Sequence, residues 1–377
     1  MADKETLLII AASEQDADLY YATHFWAPDP FIFVQIAGRK FLLMSDLEVD
    51  RAKAESSVDE VLSVSRLLAK AKADGVANPG MLDALDLVLK ENSVVSLKVP
   101  STFPVAIADR LRAKRYALEI GKEPFLPQRM IKTKEEVEAV RQTIRLTEEA
   151  LKSAINLVRE SDIHDDGNLW LRNQPLTSEL LRKVMHVTLM GSECLARETI
   201  IAGGDQACDP HCIGFGPLKA NMPIVFDVFP VSLKTRYFAD ISRTVLRGKA
   251  TDTVKKMYRA VERGQEIGFS MVRSGADGQK IHEAILDYFE KEGFHTGEKE
   301  GRMTGFFHGT GHGLGLEIHE APRIGAVEDI LQAGQIVTVE PGLYYPGHGG
   351  IRIEDDVLVT QTGCEMLTSF PKFLELS

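Results

Sequence analysis

The stretch MPIVFDVFPVSLKTRYFADISRTVL, residues 222–246, contains two segments rich in Val, Ile, Phe and Tyr around a polar turn. This pattern predicts an antiparallel β-hairpin. Residues that face each other in such a hairpin have numbers with a constant sum, so a turn centred on Leu233 and Lys234 would place Asp227 opposite Asp240. The hairpin is therefore predicted to present two carboxylates about 5 Å apart.

A second stretch, QIVTVEPGLYYPGHGGIRIEDDVLV at residues 335–359, has the same design. A turn at Gly347 would place Glu340 opposite Glu354, which gives a second pair of carboxylates. Acids among so many apolar residues are unfavourable unless a positive group neutralises them. The acids could instead face solvent or pair with Arg243 or Arg352, and this alternative stays open for any single acid.

A third segment, FFHGTGHGLGLEIHEAP at residues 306–322, adds three histidines: His308, His312 and His319. It does not fit the helical zinc-protease motif HExxH, because Gly309 stands where that motif requires glutamate and the surrounding glycines disfavour a helix. Four carboxylates with imidazole ligands instead fit two divalent ions about 3.5–4 Å apart. Such oxygen-rich ligands favour manganese, cobalt, iron or zinc over copper, and the implied chemistry is hydrolysis.

Length and composition limit the remaining classes of function. The chain has 377 residues, a net charge of −11 and 44% hydrophobic residues, which is typical of an ordinary folded protein with two domains. The negative charge disfavours nucleic acid and anionic membranes as partners. We expect no signal peptide and no membrane span, and the small number of cysteines, four, favours reduced thiols in the cytoplasm.

The order of elements predicts an α/β protein with an N-terminal domain at 1–127 and a second domain at 128–377. In the first domain, short β-rich runs alternate with helical patterns, among them a long amphipathic stretch at 46–74. In the second, Thr133 and Glu136 form a capping box that begins a long helix. Further helices are predicted at 176–190, 252–272 and 279–292, around a sheet that is antiparallel at its centre.

Taken together, VFDVFP with YFADISRTV, HGTGHGLGLEIHEAP, TVEPG and IRIEDDVLV resemble the pita-bread metallopeptidases, in particular their aminopeptidase P and prolidase branch. The resemblance implies a catalytic domain with a curved antiparallel central sheet, preceded by an N-terminal domain like that of creatinase and prolidase. It implies two bound divalent ions, with manganese the first expectation and cobalt, zinc or iron as alternatives. The implied ligands are Asp227, Asp240, His312, Glu340 and Glu354.

The resemblance also implies the roles of other residues. A hydroxide that bridges the two ions would be the nucleophile, and Glu340 would shuttle its proton. His308 and His319 would line the substrate cleft and polarise the carbonyl oxygen, and His211, in DPHCIGFG, would be the upstream histidine of the active site. Arg352 would orient a carboxylate ligand.

By the same resemblance the substrate is a short peptide with proline second, cleaved at the Xaa-Pro bond by an aminopeptidase or a dipeptidase, and the protein is a homodimer. One departure is Phe229, which stands where the family has glycine in Asp-x-Gly, in a hairpin that is about two residues longer. The alternative is a lyase or amidinohydrolase on the same scaffold.

Overall fold

The computed structural model describes residues 5–376, which form two compact units divided after Arg129. The domain bounds 1–127 and 128–377 stay a prediction. Each of the two units has its own apolar core and its own sheets. Short 3-10 helices are Pro127–Met130 and Gly204–Cys208.

A mixed six-stranded sheet forms the centre of the first unit. Its strands are β1 (Thr6–Ala11), β2 (Phe31–Ile36), β3 (Arg39–Met44), β4 (Glu60–Ser63), β5 (Ser96–Val99) and β6 (Ala117–Ile120). Their order is β4-β3-β2-β1-β5-β6. The first three strands pair in antiparallel fashion, and β4, β5 and β6 join by parallel pairing. The helices are α1 (Ala17–Thr23), α2 (Val49–Glu55), α3 (Val64–Ala73), α4 (Met81–Glu91) and α5 (Val105–Ala113).

Both faces of this sheet are buried. Leu8 and Ile10 pack into one apolar cluster, while Ile9 between them packs into a second cluster on the opposite face. Alternate residues of a strand point to opposite faces, so a strand that is covered on both sides needs apolar residues throughout. This explains the unbroken apolar runs from which the strands were predicted.

The amphipathic stretch at 46–74 is not one continuous element, which corrects the prediction. Helix α2 ends at Glu55, strand β4 follows, and α3 begins only at Val64. The Ser63 side chain accepts a hydrogen bond from the backbone N–H of Arg66, so it starts a new helix. Strand β4 pairs with β3, and this sheet contact overrides the helical periodicity.

Four long helices flank the sheets of the second unit: α6 (Lys134–Glu160), α7 (Ser178–Gly191), α8 (Asp252–Met271) and α9 (Gly278–Lys291). The capping box predicted for α6 is present, with Thr133 accepting from the backbone of Glu136 and Glu136 accepting from that of Thr133. The helices predicted at 176–190, 252–272 and 279–292 are confirmed within two residues at each end.

The strands of this unit are short and mostly antiparallel. They are β7 (Asp162–Ile163), β8 (Leu169–Leu171), β9 (Gln174–Pro175), β10 (Cys194–Leu195), β11 (Ile200–Gly203), β12 (Ile224–Val228), β13 (Val231–Ser232), β14 (Ile241–Arg247), β15 (Gly297–Lys299), β16 (Arg302–Thr304), β17 (Gly311–Gly313), β18 (Glu320–Ile324), β19 (Ile336–Val339), β20 (Gly342–Tyr345), β21 (Gly349–Arg352), β22 (Asp355–Val359), β23 (Cys364–Met366) and β24 (Glu375–Leu376). The main sheets have the orders β11-β12-β14-β24 and β18-β17-β19-β22-β23.

Each main sheet has its own pair of helices. Residues of α6 and α7 pack with those of β12 and β14 in one apolar core, and residues of α8 and α9 pack with those of β19 and β22 in another. The two sheets are joined at Glu354, whose N–H donates to the backbone oxygen of Ser242 at 3.1 Å. No helix among residues 5–376 is both long and apolar enough to cross a bilayer.

Candidate metal centre

Five acidic and histidine side chains converge from the two main sheets. Asp227 lies in β12 and Asp240 directly precedes β14, while His312 lies in β17, Glu340 directly follows β19 and Glu354 directly precedes β22. Three of them therefore stand where a strand begins or ends. Residues at such positions can point into a shared cleft while the strands behind them stay paired.

The register of the first hairpin differs from the prediction. Asp227 pairs with Ser242 and not with Asp240. In every observed pair of β12 and β14, the two residue numbers add up to two more than predicted. The turn is displaced by one residue because the Ser232 hydroxyl accepts from the backbone N–H groups of Lys234 and Thr235 and so closes the turn around them. A shift of two keeps the pleat parity, so the two aspartates remain on one face as diagonal neighbours.

The register predicted for the second hairpin is confirmed. Val339 pairs with Asp355 on one side of the centre, and Gly342 pairs with Arg352 on the other, with one constant sum for both ladders. The same sum places Glu340 across from Glu354. The turn falls at Gly347, whose φ of +84° suits glycine.

The atoms of these side chains that could bind an ion lie close together. His312 Nε2 lies 3.6 Å from Asp240 Oδ2 and 3.7 Å from Glu340 Oε1. One ligand atom each from Asp240, His312 and Glu354 lie within 4.8 Å of one another, and these three residues are buried. The ring of His312 is oriented to bind an ion through Nε2, because its Nδ1 faces the backbone oxygen of Gly313 at 3.1 Å and its Nε2 is directed at the carboxylates.

Several carboxylate oxygens here have no protein partner. Within the described residues, Asp227 Oδ1, Asp240 Oδ1 and Glu354 Oε1 are buried without a hydrogen bond. Burial and the charges of neighbouring acids, first Glu354, raise the pKa of Asp240, and the same causes raise that of Glu340. Burial and the charge of Asp227 raise the pKa of Glu354 to about 8. Oxygens of this kind are satisfied by divalent cations, so the residues present fit the implied metal ions.

Burial has the opposite effect on the pKa of His312. It lowers the pKa of His312 to about 3, with a further contribution from His319. The imidazole is therefore neutral at ordinary pH, which is the form that binds a metal ion.

Arg352 contacts a carboxylate, as predicted for it, and the partner is Asp227. Its Nη2 donates to Asp227 Oδ2 at 2.5 Å, and its Nε donates to the Ser242 hydroxyl at 3.1 Å. That hydroxyl in turn donates to Glu354 Oε2 at 2.8 Å. One guanidinium therefore orients acids on both hairpins and leaves the second oxygen of each for an ion. Arg243, the other arginine considered, pairs with Asp355.

The three cleft histidines lie near the centre but differ in their contacts. Both ring nitrogens of His308 are engaged, Nδ1 with the backbone oxygen of Gly309 and Nε2 with the Tyr344 hydroxyl, each at 2.8 Å. His319 packs edge-on against the ring of His312, with 4.4 Å between centroids, and no group in the described part of the chain bonds its ring nitrogens. His211 is exposed, on the loop after the 3-10 helix Gly204–Cys208.

Electrostatics connect these histidines. The pKa of His308 is lowered to about 3, mainly by burial and next by the charge of Arg352, with a smaller contribution from His211. Burial also lowers the pKa of His319, followed by Arg323 and again His211. The charge of His211 thus acts on both other histidines, so the three lie in one region of the structure.

Three residues near the site were not singled out from the sequence. Asp356 is fully buried, and its Oδ2 accepts from the backbone N–H of Asp240 at 3.0 Å, which fixes that aspartate. Tyr344 accepts from Arg352 at 3.0 Å and donates to His308. Arg323 pairs directly opposite His312 between β17 and β18, so its exposed side chain shares the face of that histidine. The doublet Asp355-Asp356 was visible as a signal, but the other two contacts depend on tertiary structure.

Phe229, the departure from the family pattern, lies next to both aspartates in the register of the first hairpin. In the register of β12 and β14 it faces Asp240, and the isolated pair of Val231 with Phe238 beyond it has the same sum. Phe229 therefore adds an aromatic ring on the face that carries the two aspartates, where glycine would leave open space.

Comparisons with known proteins agree with this geometry. Residues 138–361, more than half of the chain, match metallopeptidase family M24. The Xaa-Pro dipeptidase of Pyrococcus furiosus is 28% identical over 332 residues, which cover 87% of this chain and 84% of that protein.

Solved structures share the fold. The X-Pro aminopeptidase from Thermotoga maritima aligns with a TM-score of 0.81 and 23% identity, covering 99% of this chain and 98% of that one. The Xaa-Pro dipeptidase from Bacillus anthracis aligns with a TM-score of 0.82 and 22% identity, covering 99% and 95%. The predicted α/β pita-bread architecture is thereby confirmed. With the match to its central 224 residues and the convergent carboxylates and histidines, this chain belongs to the M24 family of metallopeptidases.

Proposed function

We propose that this chain hydrolyses the Xaa-Pro bond at the N-terminus of short peptides, with two divalent ions held by Asp227, Asp240, His312, Glu340 and Glu354. The observation that carries the proposal is the set of buried carboxylate oxygens without a protein partner in the described residues, two of them on acids, Asp240 and Glu354, that cluster with the neutral imidazole of His312. Relatives named for Xaa-Pro cleavage supply the substrate class. Divalent ions in this position would activate a water and polarise a carbonyl group.

The protein side chains then divide the remaining work. Glu340 has a raised pKa, so its carboxylate is suited to take a proton from the attacking water and to pass one to the proline nitrogen as the bond breaks. The proline nitrogen has no proton of its own, so it leaves as an amine only if one is supplied.

Among the cleft histidines, His319 is the best donor to the carbonyl oxygen of the substrate. Both ring nitrogens of His308 are already engaged, and Tyr344 ties that ring to Arg352. His308 therefore shapes the cleft, while a ring nitrogen of His319 can donate to the developing negative charge. His211 borders the same region from its exposed loop.

Arg323 bears on the choice between aminopeptidase and dipeptidase. Its side chain lies on the same face of the sheet as His312 and is exposed, so its guanidinium can bind an anionic group of the substrate. In a dipeptide the proline carries the terminal carboxylate, whereas in a longer peptide this charge is further away. The position of Arg323 therefore favours dipeptides.

The test is product analysis by mass spectrometry. The Mn²⁺-loaded protein is offered an Xaa-Pro dipeptide and the matching Xaa-Pro-Yaa-Zaa peptide. Release of the first residue from both means an aminopeptidase, and cleavage of the dipeptide alone means a dipeptidase. If calorimetry shows bound ions but neither peptide is cleaved, the peptidase proposal is wrong, and a lyase or amidinohydrolase on this scaffold takes its place. Manganese as the preferred ion, the homodimer and the cytoplasmic location stay predictions.

A further inference from the structure

Gln265 lies on α8 and is completely buried, directly behind the strands that present two of the carboxylates. Its Nε2 donates to the backbone oxygen of Val339 at 2.8 Å and faces that of Ile353 at 3.3 Å. Because both partners are acceptors, the NH₂ group of the amide has to face them. Each acceptor belongs to the residue immediately before a glutamate of the metal centre, Glu340 and Glu354.

The strands need this donor because of a proline. The ladders on either side of the centre share one register, which places Pro341 across from Ile353. The N–H of Ile353 donates to the oxygen of Pro341 at 3.5 Å, a long bond. The reciprocal bond cannot form, because proline has no N–H, and the oxygen of Ile353 therefore lacks its ladder donor. Gln265 supplies a donor from outside the sheet.

The glutamates do not join the two strands either. The N–H of Glu340 donates to the oxygen of Thr310 at 2.7 Å, and the N–H of Glu354 donates to that of Ser242 at 3.1 Å. Both bonds lead to residues outside this pair of strands, Thr310 just before β17 and Ser242 in β14, and away from the partner glutamate. The amide of Gln265 is thus a clamp between two strands that are weakly paired at the point where they present their carboxylates.

The sequence of α8 allows this close contact. Gly268 faces β19, and a Cβ at this position would lie 2.8 Å from Cγ1 of Val339, closer than real atoms approach. Glycine therefore lets the helix backbone come near the strand, so that the short side chain of Gln265 can reach two carbonyl groups.

We propose that Gln265 is a positioning residue that fixes the distance between Glu340 and Glu354 by supplying the hydrogen-bond donor that Pro341 lacks. Its influence on ion affinity rests on the proposed function of the two glutamates as ligands. Its role as the missing hydrogen-bond donor does not rest on the proposed function, because that role follows from the hydrogen bonds alone.

A double-mutant cycle in the metal-free protein tests the donor. Pro341→Ala restores a backbone N–H opposite Ile353, so Gln265→Met should reduce the free energy of unfolding in urea less in the P341A background than in the wild type. Tyr258→Phe is the matched control, since it removes a buried hydroxyl of α8 that has no partner in the described residues. An equal loss from Q265M in both backgrounds would mean that Gln265 only fills space. If Q265M does not fold, Gln265→Asn keeps the amide but shortens its reach, and the same cycle applies.

Calorimetric titration with Mn²⁺ tests the positioning. We expect Q265M to bind Mn²⁺ roughly 10- to 100-fold more weakly than the wild type, as is typical when a group that supports a ligand is lost. Y258F should bind as the wild type does, and Q265M/P341A should recover part of the affinity. Wild-type affinity in Q265M would overturn the positioning role. A wild-type protein that binds no Mn²⁺ would overturn the proposed function, whereas the unfolding cycle would still decide the role of the amide.

Discussion

Arg352 and Asp227 form a buried ion pair in which Nη2 lies 2.5 Å from Oδ2, while Oδ1 of the same aspartate has no hydrogen-bond partner in the described residues. The pair neutralises one of the acids and fixes its orientation. It also leaves one oxygen directed at the centre. A single arginine therefore reduces the repulsion between the acids without occupying the position that an ion needs.

Arg352→Lys tests this arrangement. Lysine keeps the charge but cannot donate to Asp227, Ser242 and Tyr344 together, as the guanidinium does. We expect kcat/KM for an Xaa-Pro dipeptide to fall roughly 10- to 100-fold, with a similar loss of Mn²⁺ affinity.

Arg145→Lys is the control for that variant. Arg145 forms an exposed ion pair with Glu138, and an exposed pair of this kind contributes little. The R145K variant should therefore be as active as the wild type. Unchanged activity and Mn²⁺ affinity in R352K would show that the charge alone is sufficient.

Glu340→Gln tests the proton shuttle. The amide has nearly the same volume as the carboxylate, so the fold should persist, but it cannot take up a proton. We expect kcat to fall by about 10²- to 10⁴-fold, the usual contribution of a general base. Steady-state kinetics with circular dichroism as the check on folding measure this, and Glu365→Gln on β23 serves as an exposed control. Near wild-type kcat in E340Q would assign the shuttle to another group.

The carboxylates also predict how metal-free protein responds to pH. Burial and the charge of Asp227 raise the pKa of Glu354 from its ordinary value of 4.5 to about 8. The folded state then binds more protons than the unfolded state, so the free energy of unfolding falls as pH rises from about 4.5 to about 8. Bound cations remove this penalty.

The stabilisation by Mn²⁺ should therefore be larger at about pH 8 than at about pH 5, since protons also compete with the ion for its ligands. Differential scanning calorimetry with chelator or Mn²⁺ at both pH values measures it. Glu354→Gln should reduce the dependence on pH. An equal rise in Tm at both pH values would mean that these acids are not the groups satisfied by the ion.

Much of the fold and the pairing of the four carboxylates could be predicted from the sequence because they depend on local periodicity, whereas His312 was named as a candidate ligand through the family resemblance. Alternation of apolar residues and the turn at Gly347 were sufficient for the register that places Glu340 across from Glu354. The register predicted for the hairpin of Asp227 and Asp240 was wrong by two residues, because the Ser232 side chain closes the turn further along the chain. Parity preserved the shared face of Asp227 and Asp240, so the error did not disperse the site.

The supporting contacts could not be predicted in this way. Asp356 binds the backbone of Asp240 across 116 positions of sequence, and Gln265 reaches the two strands from a helix. Such contacts depend on how helices and sheets pack, and no local pattern reports on them. The division of 46–74 by β4 was missed for the same reason, since pairing with β3 decides it.

His319→Ala tests the assignment of the carbonyl donor. If a ring nitrogen of His319 donates to the developing oxyanion, the variant should lose about 10²- to 10³-fold in kcat with little change in KM. His348→Ala, at the turn beside Gly347, is the control and should leave both constants unchanged. A change confined to KM would make His319 a group that binds the substrate in its ground state.

Arg323→Gln tests whether the exposed guanidinium binds the carboxylate of a dipeptide. Arg323 lies opposite His312 in the register of β17 and β18, and loss of a charge-assisted hydrogen bond at this exposed site should raise KM for an Xaa-Pro dipeptide about tenfold. Arg323→Lys keeps the charge and should recover part of the loss. For Xaa-Pro-Yaa-Zaa the terminal carboxylate lies elsewhere, so the same variant should leave KM nearly unchanged. Arg302→Gln, an exposed arginine on β16, is the control for a general loss of positive charge. An equal rise in KM for both peptides would show that Arg323 acts through the field of the cleft, and the preference for dipeptides would then need another cause.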